Sequence, residues 1–421
     1  MKKMKYSGIE WIGEIPEDWD ITTYRRLLNR RKEYDDQDKQ VLSLTIQGVK
    51  VKNENYGKMA EDFTGHQIVK QGDLVFTPRD FDATPILSGI APCDGCISNL
   101  YFVLYPHNIS ETFIPFINYF MWGVKWGGDI WKRLSYGMRF SYNFQQFGAL
   151  PIAVPPIDTQ RRIADFLDDK CGKIDRYIEK QQQIIDKLKE YKQAVITEAV
   201  TKGLDPDAPM KDSGIEWIGM IPEHWKVPEI KYLVRIASGG TPDRNHPEYW
   251  NGNIPWIKTG ELQNDIITNA EEYITEEGLN NSSAQVFNIN TILVAMYGQG
   301  KTRGMTALLK TPASTNQACA GLTVTNSNVQ IEYLWQCLIG AYDAIRSEAA
   351  GSGQPNLSAT LIGNFHIALP PIEEQGLIVE YIKDRTVEIK STIHKAEKLL
   401  EKLTEYKKSL IYEAVTGKKE V

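Results

Sequence analysis

The sequence predicts an α+β protein: two mixed globular domains separated by two long antiparallel helices, coiled-coil-like, with pseudo-twofold symmetry. Three observations carry this reading. A Trp-containing opener occurs twice, a Pro-Pro boundary leading into a long helical pattern occurs twice, and the stretches between these repeats are unlike one another.

The opener reads SGIEWIGEIPEDW from Ser7 and SGIEWIGMIPEHW from Ser213, an offset of 206 residues. PPIDTQ from Pro155 returns as PPIEEQ from Pro370, an offset of 215, and the two copies end alike, EYKQAVITEAVT and EYKKSLIYEAVT. The shift from 206 to 215 leaves nine extra residues, which fall in the second globular stretch and not in a helix. The segments that follow are residues 1–154 and 213–369 as globular domains, 155–203 and 370–421 as helical regions, and 204–212 as an extended, Pro-containing linker.

In the first helical region the apolar positions Ile163, Leu167, Cys171, Ile174, Ile178, Ile185, Leu188, Val195 and Ala199 keep one seam on one face. The second follows with Ile378, Ile382, Ile389, Ile393, Ala396, Leu400, Leu403, Leu410 and Ala414. Proline suits the first turn, and Gly203 and Gly417 stand where each helix should stop. At 1.5 Å per residue, about 40 residues give about 60 Å, too long to pack inside one small domain. Each seam therefore needs the other, and an antiparallel pair would place the unlike domains at opposite ends. Because the chain ends as the linker begins, the order is cyclic, and the two termini are expected close together.

The globular stretches mix β-like runs at residues 73–77, 97–104, 291–297 and 319–324 with helical patches at 115–122 and 332–346. Before each Pro-Pro boundary lies a polar loop, LSYGMRFSYNFQQF from Leu134 and GSGQPNLS from Gly351; the second domain adds GGTPDRNHPEYW from Gly239 and GQGKTRGMT from Gly298. Arg, Asn, Gln and Ser side chains match base edges in a major groove, and glycine lets a loop approach closely.

A net charge of -6 excludes a protein that grips nucleic acid through overall basicity, so any such function must use local charge. Five cysteines do not make a disulfide framework, and the Cys93/Cys96 pair lacks the further ligands of a zinc site. GQGKT resembles the end of a phosphate-binding loop, but Ala295 replaces its leading glycine. The six histidines have no ligand spacing, and no nucleophile or zinc-protease motif occurs. The chain reads as non-catalytic and as binding no cofactor itself. It has no signal peptide and no apolar run fit to span a bilayer, so the expected compartment is the cytoplasm.

Together, the duplicated opener, SGGTP from Ser238, YWNGNIPWIKTGEL from Tyr249, TNQACAGL from Thr315, GSGQPNLS, and PPI-x-x-Q leading into a helix resemble the specificity subunit of type I restriction-modification systems. The resemblance spans essentially the whole chain, although the first domain lacks SGGTP and NIPWI. It implies two target recognition domains, each reading one half of a split site on double-stranded DNA, with the helices setting the spacer. It further implies two modification (methyltransferase) subunits and restriction (translocase/nuclease) subunits as partners, which would carry S-adenosylmethionine, ATP and Mg. Candidates for DNA contact are Arg139, Tyr142, Asn143 and Gln145 in the first domain, and Arg244, Lys301, Arg303, Gln354 and Asn356 in the second. The seam is assigned to Ile174, Ile178, Ile185, Leu188, Ile389, Ile393, Leu400 and Leu403. Two other readings remain: an interaction scaffold on a coiled-coil stalk, and an NTPase built around Lys301.

Overall fold

The computed structural model describes residues 3–34, 40–52, 65–81, 85–135, 137, 140–298, 300–350 and 356–421, leaving out the side chains of residues 349 and 350. The chain divides into two compact units, Met1–Gln183 with Glu397–Val421, and Ile184–Ala396. Each unit takes part of both long helices.

The first unit opens with strand Met4–Tyr6 paired antiparallel to Glu14–Pro16, burying Ile12, Ile15 and Trp19. Gly417 follows the second long helix at φ +73°, and a Cβ there would lie 2.3 Å from the Pro16 ring. Glycine is thus required twice over, for its left-handed backbone and for close approach. Met4, Pro16 and Trp19 line one cavity with Gly417 and Val421, so the termini are close together, as the cyclic order predicts.

The central sheet of this unit is antiparallel, with strands in the order Leu28–Arg30, Phe102–Pro106, Leu74–Phe76, Ser88–Ile90. The β-like run at 97–104 resolves into two strands, Gly95–Ile97 and Phe102–Pro106, separated by a turn in which Tyr101 N donates to Ser98 O. Helix Ile114–Trp126 buries Phe116, Ile117, Phe120 and Met121, and its Gly123 packs on Val415.

The first long helix, Ile157–Lys202, has 46 residues and the second, Ile372–Val415, has 44, or about 65–70 Å each. They exceed the expected length because helix begins directly after each Pro-Pro, ahead of the apolar seam. In the first unit Ile163, Leu167, Cys171 and Ile174 share a core with Leu410, Ile411, Ala414 and Val415. Ile163 lies beside Gly417, while Asp175, further along, accepts from Lys407 Nζ at 2.6 Å. Rising numbers in one helix meet falling numbers in the other, so the helices run antiparallel.

The second unit repeats this plan. Met210–Asp212 pairs with Met220–Pro222, Trp225 packs on Gly203 (φ +75°), and Ile196, Ala199 and Val200 share a core with Ile378 and Ile382. Ile196 faces the same cavity as Ile382, and Lys192 the same as Lys390, again antiparallel. The sheet runs Val234–Ser238, Cys319–Val324, Ile292–Ala295, Thr306–Leu309, Asp265–Ile267, with the last pair parallel. Its first four positions match the first unit's sheet strand for strand, although the sequences do not. The helical patch at 332–346 is two helices, Ile331–Gly340 and Tyr342–Ala350, with a break at Ala341. Of the seam residues, Ile174, Ile185, Ile389 and Ile393 are buried and Ile178, Leu188, Leu400 and Leu403 are half-buried. No helix among the described residues is long and apolar enough to cross a membrane.

Candidate nucleic-acid interface

Strand register determines where the loops emerge. In the second unit Ser238 pairs with Ala320 and Ala295 pairs with Cys319. The loops after Val234–Ser238 and Ile292–Ala295 therefore leave the sheet at one end, where TNQACAGL enters strand Cys319–Val324. Leu357, 1% exposed, donates its N–H to Met296 O and brings the exposed Asn356 to the same place. Gln354 lies outside the described residues.

GQGKTRGMT is held by its carbonyls. Tyr342 Oη donates to Lys301 O at 2.6 Å, and the Arg346 guanidinium donates to Arg303 O at 2.6 Å and Gly300 O at 2.9 Å. Lys301 is exposed and Arg303 half-buried, and among the described residues the Arg303 Nε has no partner. The loop joins two neighbouring antiparallel strands, Ile292–Ala295 and Thr306–Leu309. A phosphate-binding loop needs a helix N-terminus behind it, so this connection removes the NTPase reading.

The Gly239 loop is shaped by aromatic side chains. Gly240 sits where a Cβ would lie 2.3 Å from the Ser283 backbone, and Trp256 Nε1 donates to Gly240 O at 3.0 Å. The Arg244 guanidinium lies 3.6 Å from the Trp250 ring centroid and pairs with Glu272 at 2.7 Å. That hydrogen bond holds the Glu272 carboxyl below the usual glutamate range, against an opposing burial cost and with Lys258 adding to the effect. Arg244 is thus a stacked, ion-paired residue. His246 bonds Glu248 at 2.7 Å and stacks on Tyr249.

The first unit has the same geometry with other residues. Arg30 pairs with Leu104 and Phe76 with Phe102, so the chain leaves both strands at the end where Asn99 and Leu100 approach Phe102. Tyr142 N donates to Pro78 O, as Leu357 N does to Met296 O. Tyr142 itself is corrected from the DNA-facing set: it is 5% exposed, packed against Trp131 and Phe81, and its hydroxyl donates to Trp131 O at 2.7 Å. An aromatic body with a satisfied hydroxyl belongs to the core here. Asn143 is exposed but its side chain caps helix Phe144–Ala149, reciprocated by Gln146. Gln145 is exposed, and Arg139 lies outside the described residues.

Sequence reasoning missed Arg30, Arg79 and Asn99. They line one recess of about 460 Å³ with Phe102, Asn143 and Gln146. Arg79 follows strand Leu74–Phe76 as GQGKTRG follows Ile292–Ala295, a correspondence visible only through the shared strand order. No cluster of three or more possible metal ligands occurs among the described residues, at Cys93 and Cys96 or elsewhere. Cys93 Sγ instead contacts Gln40 Oε1.

Residues 222–402 match the family model described as the type I restriction modification DNA specificity domain. The chain is 31% identical over 195 residues to the type I restriction enzyme MjaIX specificity subunit of Methanocaldococcus jannaschii, covering 44% of this chain and 43% of that protein. The match thus spans less than half of that relative's length. Identity is 24% over 432 residues to the putative type I restriction enzyme MjaX specificity subunit of the same organism, covering 97% and 95%. A solved chain from work on complex assembly and conformational transition of the type I R-M system superposes with a TM-score of 0.67 at 14% identity, covering 95% and 98%, and shares the fold.

Proposed function

We infer that this chain belongs to the family of type I restriction-modification specificity subunits, a DNA-recognition family, and that each domain reads one half of a bipartite site. The observation that supports this most is the pairing of one sheet plan with two unlike loop sets at the equivalent sheet end. A duplicated scaffold with divergent loops suits two different half-sites. The long helices set the spacer and dock two modification subunits, and restriction subunits join that assembly. S-adenosylmethionine, ATP and Mg act on those partners, and the chain itself supplies recognition without catalysis, in the cytoplasm.

The test is genome-wide mapping of N6-methyladenine in cells with and without this chain. A bipartite motif that disappears with the chain supports the reading. Removing four residues, near one turn, from one long helix should then alter the spacer and leave both half-site sequences alone. Changed bases with an unchanged spacer would reverse the division of labour. A scaffold without DNA readout would leave methylation unchanged in every arm.

A further inference from the structure

The recess of the first unit contains donors that its own fold does not use. Arg31, one residue on, is fully engaged, donating to both Asp73 oxygens at 2.8 and 3.2 Å and to Glu33 at 3.0 Å. Arg30 differs: among the described residues its buried Nε has no partner, and no hydrogen bond or ion pair engages its guanidinium. Its carbon centre sits 4.5 Å from the Phe102 centroid and 5.8 Å from that of Phe144, which fix the plane of the fork. Among the described residues the side chains of Arg79 and Asn99, lining the same recess, also lack partners, and no acidic residue lines it. Leaving a half-buried guanidinium unpaired costs stability, so the arrangement points to a ligand.

We propose that this recess is the base-reading site of the first domain, with the Arg30 fork taking the paired acceptors O6 and N7 of a guanine in duplex DNA. This rests on the DNA-reading function proposed above. A planar, pre-oriented fork suits two acceptors in one plane. A phosphate fits less well. The N-terminus of helix Phe144–Ala149 is already capped by Asn143, and the Asn99 carboxamide carries both donors and an acceptor, all of which a base edge can match while a phosphate would use only the donors. The volume of about 460 Å³ also exceeds what a phosphate group needs.

The test uses the full chain assembled with its modification subunits, comparing wild type with Arg30→Ala, Arg30→Lys, Arg79→Ala and Asn99→Ala on duplexes varied at each base pair of the methylated motif. Arg30→Ala should lose preference roughly tenfold to a hundredfold at one G·C pair of one half-site, leaving the other half-site unchanged. Arg30→Lys should recover little, because an ammonium has no fork. A uniform loss across all sequences with a shallower salt dependence would assign Arg30 to phosphate and overturn the proposal. An unaltered motif in a wild-type complex that does read a bipartite site would overturn it while sparing the underlying function. A wild-type complex without sequence preference would sink both. Should Arg30→Ala fail to fold, relaxed preference in that half-site by Arg30→Lys and Arg79→Ala supports the proposal in its place, and unchanged preference in both refutes it.

Discussion

Gln160 and Gln375, the last residues of the two PPI-x-x-Q motifs, make the same three hydrogen bonds in their own units. Gln160 Oε1 accepts from Phe113 N at 2.9 Å, and its Nε2 donates to Glu111 O and Pro155 O at 2.8 and 2.9 Å. Gln375 Oε1 accepts from Gln330 N at 2.8 Å, and its Nε2 donates to Asn328 O and Pro370 O at 2.8 and 2.9 Å. Each carboxamide ties the Pro-Pro turn to the start of the domain's own helix. Both are essentially fully buried. Replacing either with Leu strands one N–H and two carbonyls, and should cost roughly 2–4 kcal/mol. The check is the urea midpoint of unfolding, which should fall for Gln160→Leu and Gln375→Leu alike.

The two openers differ at one buried atom. Trp225 Nε1 donates to the Glu374 carboxylate at 3.2 Å, and Glu374 Oε2 also meets His224 Nε2 at 2.9 Å. In the first unit Thr159 stands in place of Glu374, its hydroxyl accepts from Arg162, and Trp19 Nε1 has no partner among the described residues. Glu374→Thr should therefore reproduce the orphaned indole and destabilise by about 1–2 kcal/mol, whereas Glu374→Gln keeps an acceptor and should lose less. Equal losses in thermal unfolding would show that the indole bond contributes nothing.

Much of this architecture is legible in the sequence because it is written in periodicity and repetition. The helix stops at Gly203 and Gly417, the strand at 319–324 and the burial of Ile174, Ile185, Ile389 and Ile393 follow from local pattern alone. The recess does not, because Arg30, Arg79 and Asn99 are distant in sequence and meet only through strand register. Tyr142 misled for the opposite reason: a tyrosine in a polar loop looks like a contact residue, and only tertiary packing reveals a core position. Arg244 was legible as a loop cation, but its partner Glu272 lies on another strand.

The Gly239 loop should respond to pH through His246. The hydrogen bond to Glu248 is the main cause that raises the imidazole above its ordinary 6.5, opposed by desolvation, and the same bond holds the Glu248 carboxyl below its usual 4.5. A raised folded value means the His246 contribution is fully present below 6.5 and is lost as pH rises through the raised value. The depressed Glu248 value means its contribution is present above the usual 4.5 and disappears as pH falls through the folded value. The pair is thus intact in the mildly acidic window between them. NMR titration should find His246 ionising above 6.5, and Glu248→Gln should bring it back toward that value. A histidine that titrates identically in both proteins would dissolve the pair.

The loop carrying Lys301 and Arg303 is positioned from behind, by the helix Tyr342–Ala350. Arg346 and Tyr342 bind its carbonyls, while the Lys301 side chain stays exposed and Arg303 is half-buried. Charge-assisted bonds from a guanidinium to carbonyls are among the stronger neutral-acceptor bonds, and they limit the loop's freedom before any ligand binds. Arg346→Ala should therefore leave the unfolding midpoint nearly unchanged, because the loop lies on the surface, while weakening discrimination in the second half-site by roughly tenfold, about 1.4 kcal/mol. Binding assays on duplexes varied in each half-site separate the two effects. Arg346→Lys restores charge but cannot bridge two carbonyls in a fixed plane, so it should rescue only partly. Loss spread equally over both half-sites would mean that Arg346 acts on the fold as a whole and not on this loop.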